Sequence, residues 1–80
     1  MTEREVQQFI TYKIVEAREE SGLTQKQLSK LSGISQSKIS KTENGARYIG
    51  ASQLFILAIA LNKPIAFFFP KKQVIRGKLI

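Results

Sequence analysis

The stretch TQKQLSKLSGISQSKISKTENG, Thr24–Gly45, decides how the whole chain is read. Thr24 followed by Gln27 is a capping box, so a helix starts at about residue 25. Leu28 and Leu31 give it an apolar side through residue 32. Gly33 then supplies the left-handed backbone that a sharp turn needs. Ser35 caps a second helix over about 36–44, with Ile39 inward and Ile34 packed in the turn. Asn44-Gly45 closes it as a turn signal. The unit is two short helices at an angle, and the second carries a polar, cationic face over an apolar underside.

The flanks supply a core for this unit. Upstream, Thr2 and Glu5 form another capping box. Val6, Phe9, Ile10, Ile14 and Ala17 make one helical stripe, which predicts a helix over about 3–20 that stops at Gly22. Downstream, 46–50 is a loop. Leu54, Leu57, Ala58 and Leu61 predict a helix over about 51–61, stopped by Asn62. Pro64 suits the first position of a short fifth helix over about 64–69, closing the core with Ile65 and Phe68, and Pro70 ends it. The remaining KKQVIRGKLI is basic and branched-aliphatic, compatible with a strand or a loose tail. No stretch before it is β-rich and none repeats, so the fold class is all-α.

Composition narrows the chemistry. Eighty residues make one small domain, and an apolar fraction of 42% is ordinary for a globular chain. There is no cysteine or histidine, which removes disulfides, thiolate catalysis, zinc fingers and a histidine general base. No cofactor and no metal are expected, and an enzyme is disfavoured. The composition fits a reducing cytoplasm, the N-terminus lacks the order of a secretory signal, and the longest apolar run is too short for a membrane span. The formal net charge of +7 is unevenly distributed. Residues 1–20 hold five acids and three bases, whereas residues 21–80 hold ten bases and a single acid, Glu43. The positive field therefore sits on the half that contains the paired helices, which favours a polyanionic partner. The glutamates of the first helix place its outer face away from such a partner.

In combination, Arg18, Gly22-Leu23-Thr24-Gln25, Leu28, Gly33, Ile39, Glu43 and Gly45, continued by Leu57-Ala58 and Leu61, resemble the Cro and phage-repressor (Xre-like) helix-turn-helix family from about Ile14 to Phe69. Ser29 stands where alanine is commoner and Thr42 where an aliphatic is usual, which softens the packing under the second helix of the pair. The resemblance implies a five-helix, lambda-repressor-like DNA-binding domain over residues 1–69 with a tail over 70–80. It also implies a cytoplasmic, nucleoid-associated protein that binds inverted-repeat operators in double-stranded DNA, usually as a homodimer.

The resemblance assigns roles by position. Gln36 and Ser37 stand at the N-terminal end of the reading helix, where short polar side chains meet base edges, and Lys41 lies one turn beyond Ser37. These three, with Ser40 as a weaker fourth, are the expected base contacts. Gln36 suits adenine N6 and N7, and Lys41 suits guanine O6 or N7. Phosphate contacts are expected from Gln25 at the start of the preceding helix and from Asn44, with Lys26, Lys38, Arg47 and Tyr48 added by charge and location. Arg18 is expected to pair with Glu43, tying the first helix to the reading unit.

Apolar residues remain once the core is filled. Phe55, Ile56, Ile59, Phe67 and Phe69, together with Val74, Ile75, Leu79 and Ile80, form a surplus for the tail to cover or for a second subunit to meet. A homodimer is the preferred occupant, since one reader covers a half-site. The function expected is a transcriptional regulator, a repressor before an activator. Its alternatives are an antitoxin that captures a toxin protein and regulates its own operon, and a restriction-modification controller protein. RNA is disfavoured because no exposed aromatic platform is evident.

Overall fold

The computed structural model describes residues 1–71 and, beyond them, the strand pairing of residues 74, 75, 78 and 79. Four α-helices follow in order: α1 (Glu3–Glu20), α2 (Gln25–Ser32), α3 (Gln36–Glu43) and α4 (Ala51–Ala60). Both capping boxes form. The Thr2 and Thr24 hydroxyls accept from the N–H groups of Glu5 and Gln27, whose side chains accept in return from the cap N–H groups. The returning Thr2 N–H holds the Glu5 carboxyl below its ordinary range. Ser35 caps α3 through the Lys38 N–H, whereas α4 starts at Gly50 without a side-chain cap. Gly33 takes φ 74° between α2 and α3, and Asn62 takes φ 55° after α4. Gly33 has no atom within 4 Å of an added Cβ, so its backbone conformation, not crowding, favours glycine.

The fifth helix is the main departure. Residues Ile65–Phe68 form one 3-10 turn. Pro64 is already extended at ψ 147°, and Phe69, next to Pro70, is extended at φ −114° and ψ 148°. Two prolines thus leave too few residues for an α-helical nucleus. The turn is held by its aromatics. Phe68 is fully buried and meets Phe67 edge-on, with centroids 5.1 Å apart. Phe67, grouped with the surplus from sequence, instead packs half-buried against the core with Lys13 and Lys63 over its ring at 4.8 and 4.7 Å. Ile65 is exposed, so Phe68 alone of the expected pair closes the core. After the turn, β1 (Val74–Ile75) and β2 (Lys78–Leu79) pair antiparallel, Val74 opposite Leu79. The expected packing of Val74, Ile75, Leu79 and Ile80 falls outside the described side chains.

One core joins all the helices: Ile10, Ile14 and Ala17 of α1, Leu28, Ile34, Ile39, and Leu54, Leu57, Ala58 and Leu61 around α4, with Ile49 and Phe68. Leu31 breaks the expected pattern, at 62% exposed. The turn at Gly33 carries Ile34 inward at that end of α2, and Leu31 is left outside. The Ser29 and Thr42 departures do not loosen the unit as expected. The Ser29 hydroxyl donates to the Ile34 carbonyl at 2.6 Å and braces the turn, while Thr42 is buried and its hydroxyl accepts from Arg47 Nη1 at 3.4 Å. Among the described residues, no buried side-chain nitrogen or oxygen lacks a partner.

Candidate nucleic-acid interface

α3 has two distinct sides. Ile39 and Thr42 are buried beneath it. Gln36, Ser37, Lys38 and Lys41 are exposed above, Ser40 is half-buried, and the four exposed side chains make no hydrogen bond or ion pair among the described residues. Ser37 and Lys41 are one turn apart on the same side. A helix held by its underside with free donors on its outer side is what entry into a major groove requires, because nothing must be broken before base edges are met.

Glu43, at the last position of α3, is the hub that holds this helix. Its Oε2 accepts from Arg18 Nε at 2.7 Å, and its Oε1 accepts from Arg18 Nη2 at 3.0 Å. Oε1 accepts also from Gln25 Nε2 at 3.0 Å. Arg18 Nη1 donates to the Leu23 carbonyl at 2.8 Å. One carboxylate thus joins α1, the start of α2 and the end of α3. The side chains of Arg18 and Glu43 are only 15% and 6% exposed, which makes this a shielded, bidentate pair and not a surface ion pair. The Glu43 carboxylate holds the Arg18 guanidinium charged to even higher pH than usual.

The other expected phosphate contacts surround α3. Gln25 is not free, since one of its two amide protons is committed to Glu43; the other remains available, and Glu43 orients it. The first N–H groups of α2 stand beside it at the positive end of the helix dipole. Lys26, Lys38 and Tyr48 are exposed. Asn44 caps α3 and uses its side-chain oxygen to accept from the Ala46 N–H at 2.9 Å, which leaves its amide donors outward. Arg47 is half-buried and donates to Gln53 Oε1 at 3.2 Å, so part of its role is to fix the loop to α4.

Sequence reading missed the ties between α1 and that loop. The Gln7 side chain donates to the Ile49 carbonyl at 3.4 Å and accepts from the Ile49 N–H at 3.3 Å. A polar residue bridging 42 positions leaves no periodic signal. Phe55, Ile56 and Ile59 of α4, and Phe69 after the 3-10 turn, are exposed, at 56%, 41%, 64% and 43%. No helix among the described residues is long and apolar enough to cross a membrane.

A helix-turn-helix family model matches residues 14–68, most of the chain. Among solved structures, the restriction-modification controller protein C.AhdI from Aeromonas hydrophila is similar with a TM-score of 0.73 at 30% identity, over 76% of this chain and 92% of that one. No curated protein matches. With its matched region running from α1 into the 3-10 turn and containing the whole α2–α3 unit, the chain belongs to the Cro and phage-repressor (Xre-like) helix-turn-helix family of DNA-binding regulators.

Proposed function

We propose that this chain is a sequence-specific transcriptional regulator of the repressing kind, binding an inverted-repeat operator in double-stranded DNA as a homodimer. Gln36, Ser37 and Lys41 read bases, with Ser40 in support. Gln25 and Asn44 clamp phosphates, helped by Lys26, Lys38, Arg47 and Tyr48. The observation that carries this reading is the outer side of α3: exposed polar side chains, unpaired among the described residues, on a helix whose last residue, Glu43, is locked to α1 and α2. The apolar residues Phe55, Ile56 and Ile59 on α4, with Phe69 beyond the 3-10 turn, supply a surface for the second subunit. Such a dimer sets two reading helices about 34 Å apart, one turn of DNA. The basic balance of the chain supports work on chromosomal DNA in the cytoplasm.

The similarity to a controller protein, over nearly all of that protein, favours a restriction-modification controller among the possible regulators. Restriction and methylase genes beside the coding sequence would select it. A toxin gene there, with a toxin that co-purifies, would select an antitoxin instead.

Selection from random duplexes with the purified protein tests the function. Enrichment of two inverted half-sites at a fixed spacing is expected, and no enrichment would sink the proposal. On the selected operator, Gln36→Ala should cost about 1–3 kcal/mol and relax preference at one base pair. Lys38→Ala should weaken all sequences alike and lower the salt slope by about one. These two variants separate reading from clamping in a single set of titrations.

A further inference from the structure

The family match begins at residue 14, yet α1 begins at Glu3, so its first three turns lie outside the matched region. They are not a loose extension. Gln7 is hydrogen-bonded to both polar backbone groups of Ile49, and Thr11 donates to the Thr42 carbonyl. These contacts fix the start of α1 beside the end of the reading helix. Between them lies an open cleft of about 370 Å³. Arg4, Gln8 and Thr11 line one wall, and Asn44, Arg47 and Tyr48 line the other.

We infer that this cleft seats a phosphate group of the bound DNA strand, with Arg4 and Gln8 as donors that extend the backbone clamp beyond the reading unit. The inference rests on the proposed DNA binding. Its support is electrostatic and geometric. Arg4 and Gln8 are exposed and have no hydrogen-bond or ion-pair partner among the described residues. They stand one turn apart on the same side of α1. Glu43 also lines the cleft, but Arg18 neutralises it. Glu3 and Glu5 point about 100° to either side of Arg4 around the helix, and Glu5 is turned back to the Thr2 N–H at 2.8 Å. The cleft therefore presents two guanidinium groups and several amide donors against a carboxylate already paired. The negative balance of residues 1–20 hides this strip, because the acids lie off it in the first turns. The opposite wall consists of the loop residues proposed above as phosphate contacts, so a strand held by Asn44 and Tyr48 runs past Arg4.

The full chain with Arg4→Gln and the full chain with Gln8→Lys test this. On the selected operator, R4Q should bind a few-fold more weakly at 0.1 M salt, with a salt slope smaller by about one and an unchanged preference for operator over scrambled duplex. Gln8→Lys should steepen the slope by about one. In a scan of operators carrying single neutral methylphosphonates, the native protein should lose affinity at one phosphate to which R4Q is indifferent. Native slopes and native interference patterns in both variants would overturn the inference while the native protein still discriminates operator from scrambled DNA. Loss of that discrimination in the native protein would instead remove the functional proposal. A free anion is distinguished by titrating inorganic phosphate without DNA and following the side-chain amides of Gln8 and Asn44. Shifts at millimolar phosphate that R4Q abolishes, beside unchanged DNA slopes, would assign the cleft to a small anion and overturn the DNA assignment.

Discussion

Glu43→Ala is expected to lower the stability of the domain by about 3 kcal/mol, before any DNA contact is considered. The substitution leaves the Arg18 guanidinium, 15% exposed, with the Leu23 carbonyl as its one remaining partner among the described residues, and it releases the Gln25 amide. Removal of one partner from a buried pair costs about 3–5 kcal/mol, and the lower end applies here because Leu23 and some solvent remain. For a domain of this size that shifts the melting midpoint downward by about 12–24 °C. Thermal unfolding followed by circular dichroism reads this directly. Near neutral pH the effect should not vary with pH on the arginine side. The folded-state value of Arg18 is raised, so its contribution is fully present below the unfolded value and is lost only in strong alkali. A melting midpoint within a degree or two of the native one would show that the pair does not hold α3 to α1.

The second large effect is on assembly. Ile59→Asp places a charge at the most exposed of the α4 aliphatics, 64% accessible. It should leave the fold intact, since Leu54, Leu57, Ala58 and Leu61 carry the core side of that segment. It should abolish the dimer, because an unpaired carboxylate in an apolar interface is not compensated. Two linked half-site contacts then become one, and operator affinity should fall by about a hundredfold or more, while a single half-site is bound as before. Sedimentation of the native and variant proteins at tens of micromolar, free and on operator, measures both. A native protein that is monomeric in both conditions would contradict the dimer.

The Glu43 pair and the α4 surface differ in how openly the sequence announces them. Thr24, Gln27, Gly33 and Ser35 act locally, through caps and a positive φ, and their effects are legible residue by residue. The helix bounds follow from these and from the 3.6-residue spacing of Ile10, Ile14 and Ala17. Non-local packing is less legible. Leu31 fits the periodicity of α2, but the chain reversal at Gly33 decides which side of its last turn meets the core. Phe67 and Phe68 are adjacent and equally apolar, and only the 3-10 geometry sends one fully inside and lays the other under two lysines. Ile49 looks like a loop residue, yet it is buried and bonded to Gln7 through its backbone. Of the candidate site, the exposed strip on α3 and the Arg18 partner were legible from position in the motif. The engagement of Gln25 with Glu43, and the cleft at the start of α1, depend on contacts between residues far apart in the chain.

In the proposed function those contacts hold α3 so that its outer side, unpaired among the described residues, meets DNA. The affinity of the native protein for the selected operator against a scrambled duplex of equal composition and length, at 0.15 M salt, tests that most directly. Base reading by Gln36, Ser37 and Lys41 predicts a ratio of about 10³ or more. Equal affinity for the two duplexes would mean that α3 meets DNA through its charge alone, and would contradict the assignment of a reading helix.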